Sequence, residues 1–170
     1  MTLAAASPWS KHKSELEGRE LPPHVRAGRY EYNDLRALYA KSSFIAVPLY
    51  ENDFQAGVTT ILEAMAMGKP VIVTQTSGQS DVISHEQNGL YVATGSAQAW
   101  KDAITRLRND DMLRVRLGRA ARRWVEDNAT LDRWVENILS GLREPAPAAV
   151  NGSQVATRKS SVARSSASKS

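Results

Sequence analysis

Gln55-Ala56-Gly57-Val58-Thr59-Thr60-Ile61-Leu62-Glu63 is the stretch of this chain whose residue types and spacing could do chemistry. The small pair Ala56-Gly57 opens a helical pattern. The first amides, around Gly57, Val58 and Thr59, then lack acceptors within the helix and stand at the positive end of its dipole. A phosphate is the natural partner of such amides. Glu63 falls four residues after Thr59 and shares its face. A carboxylate there is badly placed to meet a phosphate, but well placed to accept hydrogen bonds from a ribose diol just beyond it. Periodicity alone favours a plainer role for Glu63, that of complementing the dipole.

Other polar residues gather near this stretch. Glu51 and Asp53 lie on a polar loop, Tyr50 to Gln55; Glu51 reads as a solvated acid, while Asp53 stands evenly between that and a role at a ligand. Thr74, Ser77, Gly78 and Gln79 follow the next apolar run and border the same crevice, with turn formation at Gly78 and capping by Ser80 or Asp81 as equally good accounts. Lys69 reads as a surface cation after a helix end. His12, His24 and His85 show no spacing to one another or to carboxylates that would suit a metal or acid-base work. No metal-binding Asp-x-Asp, Gly-x-Gly-x-x-Gly or Walker sequence occurs.

The elements that must position these residues follow from periodicity. Phe44 to Pro48 is a continuous apolar run, expected of a strand buried on both faces of a parallel sheet. Val58 to Met67 is the next helix, closed by Gly68, and Lys69-Pro70 leads into the strand Val71-Ile72-Val73. Upstream, His24 to Arg29 is expected as a short strand. A helix follows, capped within Tyr32-Asn33-Asp34 and carrying Leu35, Leu38 and Tyr39 on one face. Downstream come a turn, a short helical piece at Asp81-Val82-Ile83 and a strand at Gly89 to Val92. The order strand, helix, strand repeats, which indicates βαβ units. From Ala97 the pattern changes to long amphipathic helices: Trp100, Ile104 and Leu107, then Leu113, Leu117, Ala120 and Trp124, then Leu131, Trp134, Ile138 and Leu142. The fold class expected is α/β, a partial Rossmann-like parallel sheet flanked by helices, in three parts. Residues 1–20 form a loose lead-in, 21–144 an incomplete nucleotide-binding domain, and 145–170 a disordered basic tail rich in Ser and Ala.

Composition narrows the classes further. With 170 residues, 42% hydrophobic and 24% charged, the chain suits one globular domain. It has no cysteine, hence no disulfides and no thiolate metal site. The net charge of +4 is matched by Arg158, Lys159, Arg164 and Lys169, the charged residues beyond Glu144. The remainder is about neutral, so nucleic acid is not expected as a partner. No apolar stretch approaches the ~20 residues of a membrane span, although a peripheral membrane contact stays open, and a cytoplasmic location is expected.

Leu62-Glu63-Ala64-Met65-Ala66-Met67-Gly68-Lys69-Pro70-Val71-Ile72 resembles the signature Leu-Glu-Ala-Met-Ala-x-Gly-x-Pro-Val of the retaining GT-B glycosyltransferases of family 4. The flanks agree: Leu35 to Ala40 followed by Phe44 to Pro48, then Gly78 to Ile83 with Asn88-Gly89-Leu90. The similarity runs from about Leu21 to Leu142. It implies the C-terminal, donor-binding half of such an enzyme, with a UDP- or GDP-linked sugar as substrate and no cofactor. Glu63 would hold the ribose hydroxyls, and the amides of Gly57, Val58 and Thr59 would meet the diphosphate. The family usually carries a second Glu eight positions before the first, near the donor sugar. Here that position is Gln55, with Asp53 and, less readily, Glu51 as the nearby acids that could take its part if the loop is shifted.

The resemblance also implies a truncated or split product, because the acceptor-binding half and the opening strands of the donor half are not recognisable. Such a chain would transfer little sugar alone and would need a separate chain carrying the acceptor domain. Other classes stand beside it. They are a non-catalytic nucleotide-binding or interaction fragment, a nucleic-acid-associated protein resting on the basic tail, and a different doubly wound enzyme.

Overall fold

A computed structural model of the chain describes residues 2–4, 20, 22–28, 30–79 and 81–143. Five strands and five helices are found among them, in the order β1 (Thr2–Ala4), β2 (Arg26–Gly28), α1 (Tyr32–Lys41), β3 (Ile45–Val47), α2 (Val58–Ala66), β4 (Val71–Gln75), β5 (Leu90–Ala93), α3 (Ala97–Asn109), α4 (Asp111–Asn128) and α5 (Leu131–Arg143). The chain divides into two compact units, Met1–Arg133 and Trp134–Ser170.

In the first unit every strand pair among the described residues is parallel. β1 pairs with β2, and a three-stranded sheet runs β3-β4-β5, with Ile45 opposite Val71 and Ile72 opposite Leu90. β4 is the central strand of the three, and Val71, Ile72, Val73 and Thr74 are all buried. Its side chains alternate between two cores. Val71 and Val73 meet Ile61, Ala64 and Met65 of α2 together with Val82 and Ile83. Ile72 turns the other way, toward Leu90, Val92, Leu107, Leu113 and Leu117. Each such buried aliphatic side chain contributes about 1.5–3 kcal/mol. α4 serves both cores, through Ala121 in one and Leu113 and Leu117 in the other.

The βαβ reading of the sequence holds, with local corrections. β3 is an edge strand of its sheet: Val47 is buried, Ala46 exposed and Ile45 intermediate. Burial on both faces was expected from its apolar run, but pairing on one side alone leaves part of it uncovered. α1 begins one residue after Glu31, which makes no side-chain cap, so Asp34 lies in the first turn instead of capping it. Asp81-Val82-Ile83 is not helical. Asn88 holds that segment as a turn, accepting from the Ser84 N–H at 2.7 Å and donating to the Val82 carbonyl at 3.0 Å. The strand expected at His24 to Arg29 is the shorter β2. Thr2–Ala4, expected as part of a loose lead-in, is a strand because β2 supplies it with a parallel partner. The tail assigned to 145–170 lies outside the described residues.

Gly68 closes α2 as the sequence suggests. It adopts φ +67°, and the amides of Gly68 and Lys69 donate to the carbonyls of Met65 and Ala64 at 2.9 Å each, the paired bonds of a Schellman ending. Lys69 is more than the expected surface cation. Its Nζ donates to the Ala40 carbonyl at 2.8 Å and so caps the last turn of α1.

The second unit contains, among the described residues, the part of α5 from Trp134. Trp134, Ile138 and Leu142 lie on an exposed apolar face there. No described helix is long and apolar enough to cross a membrane.

Candidate functional site

The carboxyl ends of β3, β4 and β5 lie side by side, as parallel pairing requires, and the loops leaving them form the candidate site. β3 runs into Pro48 to Gly57, and Gly57 then starts α2. Gly57 has φ +70°, a left-handed conformation that glycine adopts without strain. A Cβ there would stand 2.9 Å from Val47 Cγ1, so the turn is closed tightly against the strand it leaves. Gly57 has no side chain with which to cap the helix, and α2 has no acidic residue in its first turn. α3 and α4 are capped by Ser96 and Asp110, which accept from the amides of Ala99 and Leu113. α2 therefore presents its first N–H groups, at Val58 and Thr59, uncapped by any side chain.

Glu63 lies one and a half turns along, about 7.5 Å from Val58 at 1.5 Å per residue. It is half-buried, and its Oε2 accepts a hydrogen bond from the Tyr39 hydroxyl at 3.0 Å. Tyr39 is 6% exposed. Burial, and then the hydrogen bond to Glu63, push its pKa up to about 12. The phenol thus stays a donor at all ordinary pH and fixes the orientation of the Glu63 carboxylate. α1 supplies this anchor, which sequence reading took for a core residue and nothing more.

The loops are tied together by side chains. Glu51, expected as a solvated acid, accepts from both the N–H and the hydroxyl of Ser77 at 2.8 and 2.9 Å through Oε1, and from the Thr94 hydroxyl at 3.2 Å through Oε2. One carboxylate thereby joins the loops after all three strands. The Ser77 N–H and then its hydroxyl hold the Glu51 pKa below the usual carboxylate range. A carboxylate with a depressed folded pKa contributes its stabilisation above its unfolded value and loses it as pH falls through the folded one. The amide resonances of Ser77 and Thr94 are accordingly expected to hold constant at neutral pH and to move together only below the ordinary glutamate value of 4.5. A pH titration by NMR tests this: in Glu51→Gln the shared acid transition should vanish, and its persistence would show that another group causes it.

Gln55 donates to Asp81 Oδ2 at 3.0 Å, and Gln79 donates to the Ala56 carbonyl at 2.6 Å. Thr74 is buried and accepts from the Leu49 N–H at 2.9 Å. The Gly78 N–H donates to the Asn52 carbonyl at 3.0 Å, and a Cβ at Gly78 would fall 2.2 Å from the Phe54 carbonyl oxygen. Gly78 therefore enters the site as the spacer that lets two loops touch. Asp53 is exposed on the first of them. Asn52 Oδ1 and Thr76 Oγ1 are buried without a hydrogen-bond partner among the described residues. His85 accepts from the Tyr91 N–H through Nδ1 at 2.8 Å and serves its own turn.

The arrangement offers uncapped amides, a fixed carboxylate acceptor and a cross-braced loop wall. It suits a ligand with an anionic group and a diol. The bracing roles of Glu51 and Tyr39 are not readable from the sequence because their partners, Ser77 and Glu63, lie more than twenty residues away.

Residues 9–124 match the family described as glycosyl transferases group 1. Among curated proteins, the chain is 36% identical over 88 residues to the D-inositol 3-phosphate glycosyltransferase of Corynebacterium aurimucosum, covering 52% of this chain and 20% of that protein. It is 34% identical over 121 residues to the protein of the same name from Salinispora tropica, covering 71% and 23%. The chain thus spans about a fifth to a quarter of the length of these relatives. Among solved structures, it resembles sucrose-phosphate synthase from Thermosynechococcus elongatus with TM-score 0.60 and 26% identity, covering 70% of this chain and 29% of that one. It resembles in fold Anabaena HepE in complex with UDP-glucose, with TM-score 0.63 and 21% identity over 72% and 33% of the two chains.

Proposed function

The chain belongs to the glycosyl transferases group 1 family, and from that premise we propose that the β3–α2–β4 unit binds the nucleotide-sugar donor of a sugar-transfer reaction. The observation that carries the proposal is the start of α2, where Gly57 turns in the left-handed region and leaves the helix without a side-chain cap. The amides of Val58 and Thr59, with Gly57, take the donor diphosphate, whose charge the helix dipole complements. Glu63, held by Tyr39, accepts from the ribose hydroxyls. The donor is UDP- or GDP-linked, and the parent reaction is a retaining one of the family 4 type. In it the helix dipole and cations, with no bound metal, stabilise the leaving diphosphate. The buried, unpartnered Asn52 Oδ1 and Thr76 Oγ1 support a polar occupant near these loops.

A second reading is favoured by Gln55. An amide cannot supply negative charge to an oxocarbenium-like transition state, and here it already donates to Asp81. On that reading the chain binds nucleotide without catalysing transfer by itself. Calorimetric titration of the chain with UDP- and GDP-sugars, alongside a turnover assay, tests both readings. Saturable binding with negligible transfer is expected. Absence of binding to every nucleotide would remove the donor site, whereas robust transfer by the chain alone would remove the non-catalytic reading.

A further inference from the structure

α4 carries a second surface, built with α3 and independent of the donor site. Met112, Val115, Arg116, Arg119, Arg122 and Arg123 recur at steps of three and four along α4 and so share one face. All six are exposed, Met112 at 79% and Val115 at 46%. The opposite face, with Leu113, Leu117, Gly118 and Ala121, is buried.

The roll of the helix is fixed. A Cβ at Gly118 would lie 2.2 Å from the Gly68 carbonyl oxygen, so the backbone of α4 rests directly on the end of α2. Arg122 also donates to the Ala66 carbonyl, the last residue of α2. The arginine face therefore cannot turn inward. An open depression of about 660 Å³ lies along it, lined by Arg106, Arg116, Arg119, Arg123, Met112 and Val115 among others.

Acidic groups neutralise part of this charge. Glu86 is paired with Arg106, Glu126 is paired with Arg122, and Asp110 lines the depression, while Arg116 donates to the uncharged main-chain carbonyl of Glu86. Arg119 and Arg123 have no ion-pair partner among the described residues, and the cations still outnumber the acids. The exposed apolar residues then decide between occupants. A nucleic acid rewards the arginines through its phosphates but gains nothing from Met112 and Val115. A lipid interface takes both: guanidinium groups bind headgroup phosphates in a fork, while apolar side chains enter the boundary with the acyl chains.

We propose that the outer face of α4, with the adjoining depression, docks this protein on an anionic phospholipid surface. Docking there would place the donor half of a transferase beside a membrane and would suit acceptors held in one.

Vesicle co-sedimentation of the full chain tests the proposal, with phosphatidylcholine vesicles with and without phosphatidylglycerol. Binding is expected with the anionic lipid and not with phosphatidylcholine alone. Arg119→Glu with Arg123→Glu should weaken it by about thirtyfold or more. Arg119→Gln with Arg123→Gln is the milder pair, expected to weaken it by a smaller factor, should charge reversal disturb folding. Met112→Ser should weaken vesicle binding and leave binding to heparin, a lipid-free polyanion, unchanged. A variant with Arg158, Lys159, Arg164 and Lys169 all changed to Gln should still bind. Loss in that variant, no effect of either arginine pair, or an equal effect of Met112→Ser on heparin would each overturn the proposal.

Discussion

Glu63→Ala is expected to weaken binding of a UDP- or GDP-sugar by about tenfold to a hundredfold, with the fold intact. A hydrogen bond to a charged acceptor contributes roughly 1.5–3 kcal/mol, and a ribose diol can make two. Glu63→Gln retains an acceptor oxygen and should lose less. Tyr39→Phe keeps the ring in its buried place but frees the carboxylate, so affinity should fall by a smaller factor. Titration calorimetry distinguishes the three variants, and unchanged affinity in Glu63→Ala would remove the ribose role. Tyr39 adds a check in alkali. Its folded pKa of about 12 exceeds the ordinary value of 10.0. The neutral phenol's contribution is then complete below pH 10 and is lost as pH rises toward 12. Wild-type stability should fall across that window more steeply than that of Tyr39→Phe.

Gly78→Ala should be among the most damaging single-methyl changes in the domain. The new carbon would stand 2.2 Å from the oxygen, 2.4 Å from the nitrogen and 2.5 Å from the carbonyl carbon of Phe54. These are backbone atoms and cannot rotate away, so the two loops must separate. Separation also strains the Gly78 N–H bond to Asn52 and the bonds from Ser77 to Glu51. A loss of roughly 1–3 kcal/mol is expected from overpacking, with about 1 kcal/mol more for a broken hydrogen bond. Gly141→Ala is the control, since nothing lies within 4 Å of its Cβ position, and a helical Ala is favoured over Gly. Thermal unfolding should show a clear drop in Tm for the first variant and none for the second. Equal melting of the two would mean that the loops yield freely.

Local rules carried the sequence reading wherever the structure is local. The run Val71-Ile72-Val73 became the central buried strand, and Gly57 and Gly68 bracket α2, as their positions suggested; both have positive φ. Readings failed where a distant partner decided the outcome. Phe44 to Pro48 looked doubly buried, but a strand's exposure depends on which neighbours pair with it, and β3 lies at the edge of its sheet. Asp81 to Ile83 carries no local signal that Asn88 will fold it into a turn. Glu51 and Lys69 look like solvated charges until Ser77, Thr94 and Ala40 arrive from other elements. At the candidate site, the start of α2 after Gly57 and the place of Glu63 on that helix were legible. The brace that positions them was not, because its hydrogen bonds cross loops far apart in the chain.

Backbone-amide NMR during titration with a UDP- or GDP-sugar tests the donor site most directly. Saturable shifts concentrated at Gly57, Val58 and Thr59, and abolished or strongly weakened in Glu63→Ala, are the expected result. Saturable shifts that spare the start of α2, or no shifts with any nucleotide sugar, would contradict it.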